Sequence, residues 1–230
     1  MFFYSLQNSR LPLISIVQIL YCFGMDMQVF QCEKLVPEID QKSIIEWYDL
    51  FRGVCSHSLL HDRFKLGGGV HSEIIEIDES LFGKKRKYHR GTGNQKYWVF
   101  GMIERGTKNC HLQLVEKRDR GSLIPIIKQH VEEGSTIYSD EWRAYWSLPE
   151  EGYNHDKVNH TKEFVSETGC CTNTIEGLWG LVKGRIKKMK GVQAAKLPAL
   201  LDEFMFRHRY GLSNGDIFHP FIDALRKYEN

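Results

Sequence analysis

The stretch EIIEID at residues 73–78 reads as a β-strand that ends in an acidic residue, Asp78. A second short apolar strand, at residues 136–138, is followed by Asp140, and Glu176 falls in the first turn of a helix predicted over 174–190. Carboxylates carried by two strand ends and a helix start can converge and hold two divalent ions, which activate water and stabilise the leaving oxygen in phosphodiester cleavage. Oxygen ligands of this kind suit Mg²⁺ or Mn²⁺. The sequence therefore predicts a two-ion site on these three acids.

The segments around these acids predict a mixed α/β architecture. After the break at Gly67-Gly68-Gly69 the predicted elements are, in order, the strand 73–78, a hairpin of strands 97–104 and 110–116, an amphipathic helix 122–132, the strand before Asp140, a short helix 141–146, a strand 157–160 and the helix that carries Glu176. This order is that of the ribonuclease H-like fold, a mixed sheet flanked by helices. In that fold acids from the first strand, the fourth strand and the last helix come together.

The N-terminal part of the chain reads differently. Residues 11–55 contain three short segments with helical spacing of apolar residues, and Asp40 is placed to cap the third. They predict a small helical region, with either a helix-turn-helix arrangement for DNA binding or a plain helical bundle. The predicted division is a helical region at 1–60, a ribonuclease H-like domain at 68–212 and a C-terminal tail at 213–230.

Positive charge is clustered although the formal net charge is only +2. The predicted DNA-binding residues are Lys84, Lys85, Arg86, Lys87 and Arg90 in one cluster and Lys183 and Lys187 in the other. Such clusters attract phosphate backbones, although each can also be an ordinary solvated face.

Composition excludes several other classes of protein. The six cysteines contain no C-x-x-C pair, so they predict neither a zinc ribbon nor a thioredoxin-like site. The apolar run at residues 11–21 is too short to span a membrane, and the N-terminus lacks the basic start of a signal peptide. We therefore expect an intracellular protein without a membrane partner, nuclear if the source is eukaryotic.

Each proposed acid has a structural alternative. Glu76 lies on the same face of its strand as Asp78 and competes with it as a ligand. Asp140 can cap the helix predicted at 141–146, and Glu176 can form a capping box with Asn173. Four tryptophans near apolar stripes are expected in the core rather than at a nucleic acid, namely Trp98, Trp142, Trp146 and Trp179.

Five segments resemble the ISXO-type transposase domain of bacterial insertion sequences and of their eukaryotic relatives, the Merlin elements. They are residues 76–80, 98–101, 139–145, 158–165 and 172–183, and the resemblance extends from about Leu50 to Tyr210. It implies a DDE transposase of ribonuclease H-like fold, with Asp78, Asp140 and Glu176 as metal ligands. It also implies transposon ends and target DNA as partners and a homo-oligomeric active complex.

Two departures from that family leave other functions open. Cys171 stands where the family usually has histidine, and the N-terminal zinc ribbon of many relatives is not found here. The alternatives are a domesticated DNA-binding protein without catalytic activity and a nuclease on the same fold.

Overall fold

The computed structural model describes residues 9–62, 64–67, 74–83, 96–158, 171–189, 192–211 and 217–228. The chain divides into two compact units, one formed by residues 1–63 with 202–230 and the other by residues 64–201. The predicted boundary near residue 212 differs from this division. Residues 202–230 belong to the helical unit, so the chain leaves that unit and later returns to it.

The unit of residues 64–201 is built on one five-stranded sheet. Its strands are β1 (Ile74–Gly83), β2 (Lys96–Glu104), β3 (Cys110–Val115), β4 (Thr136–Asp140) and β5 (Asn154–Val158). The order across the sheet is β3-β2-β1-β4-β5, in which β2 runs antiparallel to both β1 and β3, whereas β4 is parallel to β1 and β5 is parallel to β4. Helix α4 (Arg120–His130) connects β3 to β4, and helix α5 (Asn173–Lys188) follows β5. This mixed sheet with flanking helices is ribonuclease H-like, as predicted.

The alternation of side chains along β1 assigns its residues to two different layers. Ile75 and Ile77 are buried in a core that also contains Leu123 and Ile127 of α4. Glu76 and Asp78 point to the opposite face, where they bond to residues of α5. Glu76 and Asp78 therefore face α5, whereas Ile75 and Ile77 pack against α4.

Three predicted elements differ in the structure. Strand β1 does not end at Asp78 but continues to Gly83, because residues 79–83 stay paired with β2. The α-helix expected at 141–146 is a single 3₁₀ turn, Arg143–Tyr145. Strand β5 is Asn154–Val158, earlier in the chain than the strand expected at 157–160, of which residues 159 and 160 lie outside the described part.

The other unit is helical. It contains α1 (Leu13–Gly24), α2 (Val29–Leu35), α3 (Gln41–His61) and α7 (Phe218–Lys227), together with the larger part of α6 (Leu197–Tyr210). Asp40 caps α3 by accepting a hydrogen bond from Ser43 N at 2.9 Å, as predicted. Four aromatic rings form its centre, those of Phe23, Phe51, Phe206 and Phe221. Residues 218–227, predicted to be part of a tail, thus form a helix that contributes Phe221 to this core. Among the described helices, none has the length and apolar character needed to cross a membrane.

Candidate active site

Asp78 and Asp140 lie on neighbouring parallel strands. The register pairs Glu76 of β1 with Tyr138 of β4, and Asp140 is the last residue of β4. The pairing of β1 with β4 ends at Glu76 and Tyr138, and each of the two acids lies two residues further along its strand. Two of the three predicted acids therefore share one edge of the sheet, although Asp78 lies within its strand rather than at its end.

Helix α5 is attached to β1 at two points, one on each side of Glu176. Ile175 N donates to Glu76 Oε2 at 2.9 Å, and Trp179 Nε1 donates to Asp78 Oδ2 at 2.9 Å. Glu176 follows Ile175 directly and precedes Trp179 by three residues, so it sits in the helical turn that is fixed against β1. The fold thus brings the third predicted acid to the same edge as the other two.

The structure distinguishes Glu76 from Asp78. Glu76 is fully buried, with 0% of its surface exposed, and its Oε1 pairs with Arg105 Nε at 2.5 Å. Its other oxygen accepts the Ile175 N–H, which is one of the unpaired donors at the start of α5. Both oxygens of Glu76 are therefore used in structural bonds, and Glu76 acts as the anchor of α5.

Position 171, where the family usually has histidine, belongs to the same anchor. Arg105 Nη2 donates to the carbonyl oxygen of Cys171 at 2.7 Å and contacts its Sγ at 3.0 Å. Arg105 also lies over the ring of Tyr138, with Cζ 4.8 Å from the ring centroid. The side chain at position 171 therefore contacts the arginine that neutralises Glu76.

The structural alternatives for Asp140 and Glu176 can be compared with the structure. Asp140 Oδ1 accepts from Trp142 N at 3.0 Å, whereas the 3₁₀ turn that follows has Trp142 as its N-cap and no side-chain capping bond. Helix α5 has Thr172 as its N-cap and no side-chain capping bond, which means that the capping box of Asn173 with Glu176 does not form. Glu176 is exposed and is not needed to begin the helix.

The electrostatics of Asp78 reflect the other two acids. Burial raises the pKa of Asp78, the hydrogen bonds from Trp179 and from the backbone of Glu79 lower it, and the charges of Asp140 and Glu176 raise it further. Asp78 thus interacts through space with both Asp140 and Glu176. Within the described residues, however, no three His, Cys, Asp or Glu side chains are grouped closely enough to hold a metal ion as they stand.

Glu79 is an acidic neighbour of the site that sequence reasoning missed. Burial raises its pKa to about 7; a hydrogen bond from the Tyr145 hydroxyl opposes that shift, and the charges of Asp140 and Asp78 add to it. Arg118 Nη1 lies 4.0 Å from its Oε2. Alternation along β1 directs Glu79 away from Asp78, and no spacing in the sequence indicates its partners.

The predicted cationic residues are only partly described. Lys84, Lys85, Arg86, Lys87 and Arg90 lie outside the described residues. Lys183 and Lys187 are exposed on α5, two and three turns beyond Glu176, and Lys183 Nζ lies 5.5 Å from the centroid of the Phe82 ring.

Trp179 fits against the sheet because the residue of β2 that its ring approaches is a glycine, Gly101. Gly101 pairs with Asp78 across the sheet, and a Cβ placed on Gly101 would lie 2.5 Å from Cη2 of Trp179. The indole thus rests on the backbone of β2 while its N–H reaches Asp78.

Gly101→Ala should push the indole away from β2 and destabilise the unit. We expect a loss of about 1–3 kcal/mol in the free energy of unfolding, measured by urea denaturation, because the added methyl overpacks the site. Gly177→Ala is the matched control: nothing lies within 4 Å of its Cβ, and an alanine in a helix should stabilise by about 0.5–1 kcal/mol. Equal stability of both variants would show that the contact between Trp179 and Gly101 is not tight.

The chain thus combines a ribonuclease H-like sheet with acidic residues on β1, β4 and α5. The family of the chain follows from its sequence: it belongs to the ISXO2-like transposase domain family, whose profile matches residues 68–209.

The chain is also similar to individual proteins of known sequence or structure. The chain is 29% identical over 86 residues to an uncharacterized transposase-like protein of Haemophilus influenzae, an alignment that covers 37% of this chain and 69% of that protein. A chain of the simian T-cell lymphotropic virus intasome, solved in complex with the PP2A regulatory subunit B56 gamma, is similar with a TM-score of 0.43 and 14% identity over 68% of this chain and 58% of that one. The HTLV-2 integrase catalytic core domain in complex with magnesium, in its dimeric form, is similar with a TM-score of 0.39 and 12% identity over 64% of this chain and 97% of that one. This chain thus spans less than two thirds of the intasome chain.

Proposed function

We propose that this chain is a metal-dependent DDE transposase that cleaves a DNA strand and joins the freed 3′-hydroxyl to target DNA. Asp78, Asp140 and Glu176 are the proposed catalytic residues. The observation that carries this proposal is the attachment of α5 to β1 on both sides of Glu176, at Glu76 and at Asp78. This attachment supports the proposal because Glu176 is an exposed carboxylate in the helical turn that is bonded to β1.

The donor set fits two Mg²⁺ or Mn²⁺ ions. Its donors are carboxylate oxygens only; burial raises the pKa of Asp78, the charges of Asp140 and Glu176 raise it further, and a bound cation would favour its ionised form. When bound, such ions would generate the attacking oxygen nucleophile and stabilise the leaving oxygen. Because the three side chains are not grouped tightly in the structure, we propose that cation binding draws them together.

Other side chains hold these ligands in position. Trp179 fixes the orientation of Asp78 by donating to Oδ2, and the Trp142 N–H fixes Asp140 by donating to Oδ1. Lys183 and Lys187 extend from the Glu176 turn along one side of α5, where they are proposed to contact DNA phosphates. The DNA partners are proposed to be transposon ends and target DNA, bound by a homo-oligomer.

Strand transfer tests this function directly. Purified protein is incubated with a pre-cleaved DNA end that carries a 3′-hydroxyl, Mn²⁺ and a plasmid target, and joined products are resolved by gel electrophoresis. Joined products would support the proposal. Cleavage of intact ends without joining would indicate a nuclease on the same fold, and DNA binding without either reaction across many end sequences would indicate a DNA-binding protein without catalytic activity.

Lys183→Gln and Lys187→Gln should each weaken DNA binding and its dependence on salt. Each phosphate contact that is lost should reduce the slope of log affinity against log salt concentration by about 1. The measurement is fluorescence anisotropy of a labelled duplex over a range of salt concentrations. Lys108→Gln is the control, because Lys108 is an exposed lysine in the turn between β2 and β3. Slopes that stay unchanged in both α5 variants would make these residues an ordinary solvated face.

A further inference from the structure

Two tryptophans beside Asp140 are exposed, contrary to the sequence prediction that they belong to the core. Trp142 is 41% exposed and Trp146 is 56% exposed, whereas Trp179 is buried. The prediction was wrong for both because residues 141–146 do not form the amphipathic helix that would have turned them inward. Exposed indoles are costly in water, so a pair of them next to a candidate active site indicates a ligand surface.

The indole of Trp142 is held in a fixed position. Its Nε1 donates to the carbonyl oxygen of Arg118 at 2.9 Å. The guanidinium of Arg118 lies between two rings, with Cζ 3.7 Å from the centroid of Trp98 and 5.1 Å from that of Trp142. Arg118 thus covers part of the indole, and the exposed area belongs to the rest of the ring. A ring held in this way loses little conformational entropy when it binds a flat partner.

Trp146 is surrounded by positive charge. Arg143 Cζ lies 5.8 Å and Lys157 Nζ 5.1 Å from the centroid of its ring. Arg143 and Lys157 are exposed and take part in no ion pair among the described residues. A phosphate group next to this indole would therefore meet cations that are not already neutralised by a described acid.

Cations also dominate the open cavity next to Trp142, which has a volume of about 610 Å³. It is lined by Lys117, Arg118, Asp119, Arg120, Trp142, Arg143 and Ala144. Arg120 is paired with Glu150 and Glu151, and Arg118 lies near Glu79. The other two cations of the lining, Lys117 and Arg143, form no ion pair among the described residues. We refer to Trp142 and Trp146, with Lys117, Arg143 and Lys157, as the tryptophan platform.

The platform is continuous with the candidate active site. The backbone N–H of Trp142 bonds to Asp140, two residues earlier. A DNA strand whose phosphodiester lies at the three acids would therefore bring its neighbouring nucleotides to this surface.

We propose that the tryptophan platform binds unpaired nucleotides next to the scissile phosphodiester, with bases stacked on Trp142 and Trp146 and phosphates held by Lys117, Arg143 and Lys157. An indole can stack only on the face of a base, and in a duplex those faces are covered by neighbouring base pairs. The combination of exposed indoles and cations is typical of surfaces that bind single strands. This inference rests on the proposed function.

The test compares two DNA ends of the same sequence, one a blunt duplex and one with an unpaired flank that contains 2-aminopurine. Binding is measured by anisotropy, and stacking by quenching of 2-aminopurine fluorescence, both in EDTA so that no cleavage occurs. Trp142→Leu and Trp146→Leu remove the stacking face but keep an apolar side chain. Trp142→Phe and Trp146→Phe retain an aromatic ring, and Phe64→Leu, which changes an exposed aromatic residue of the same unit, is the control. Thermal melting checks that each variant is folded.

We expect the wild type to bind the unpaired end more tightly than the blunt end and to quench 2-aminopurine. Each leucine variant should lose about five- to hundredfold in affinity for the unpaired end, since a stacked base contributes about that factor, while binding to the blunt end changes little. The phenylalanine variants should lose less, and Phe64→Leu should behave as the wild type.

Other results would overturn the inference, and they separate its failure from that of the proposed function. Equal wild-type affinity for the two ends, without quenching, would refute stacking but leave the transposase proposal standing, because duplex binding remains. Absence of binding to either end would contradict both. Leucine variants that keep their affinity for the unpaired end but change the mass of the protein in light scattering would identify the platform as a protein interface.

Discussion

Asp140→Asn is expected to reduce DNA strand cleavage and joining by at least about 10³-fold while the protein remains folded. Stabilisation of charge in the transition state by bound ions would contribute several kcal/mol, and loss of one of the residues that would hold them should remove most of it. The asparagine side chain keeps an oxygen that can accept the Trp142 N–H, so the turn after β4 should survive.

The measurement is the rate of joining of a pre-cleaved end, together with the melting temperature of the variant. The control is Glu150→Gln, which removes a highly exposed carboxylate of the same unit and should leave the rate within about twofold of the wild type, since surface changes away from a site have small effects. An Asp140→Asn protein that joins DNA at the wild-type rate would remove Asp140 from the catalytic set.

Glu76→Ala is expected to cost about 3–5 kcal/mol in the free energy of unfolding. The change leaves Arg105 without its buried partner and removes the acceptor of the Ile175 N–H at the start of α5. The measurement is urea denaturation. Glu176→Ala is the matched control, because this exposed acid lies next to Ile175 and its loss should change stability by no more than about 0.5 kcal/mol.

The double variant Glu76→Ala with Arg105→Ala tests the cause of that loss. If the cost arises from an unpaired charge, the double variant should be less destabilised than the sum of the two single variants. Strict additivity would show that the two side chains do not stabilise the protein as a pair. A Glu76→Ala protein as stable as the wild type would contradict the assignment of Glu76 as the anchor of α5.

The sequence was sufficient for the order of the elements but not for the limits of β1. The apolar alternation at Ile75 and Ile77 predicts the strand, whereas Asp78, Glu79 and Ser80 read as its end because polar residues usually leave a sheet. In the structure those residues stay paired with β2, and the two acids find partners on opposite faces of the sheet: Asp78 bonds to Trp179, and Glu79 bonds to Tyr145.

Partners that are distant in sequence also decide between Glu76 and Asp78. Both acids occupy the same face of β1, so alternation alone leaves them equivalent. The structure separates them because Arg105 and Ile175, which are 29 and 99 residues away from Glu76, meet its two oxygens. The exposure of Trp142 and Trp146 could not be predicted for a related reason. Apolar neighbours suggest a buried helix face, but a single 3₁₀ turn does not impose that periodicity.

The central claim is that Asp78, Asp140 and Glu176 form one cation site. Isothermal titration calorimetry with Mn²⁺ tests this claim most directly. We expect the wild type to bind two Mn²⁺ ions, and Asp78→Asn, Asp140→Asn and Glu176→Gln each to lose at least about tenfold in affinity, since even the loss of a group that supports a ligand has that effect. Glu150→Gln should bind as the wild type does. Wild-type affinity and stoichiometry in all three site variants would contradict the claim.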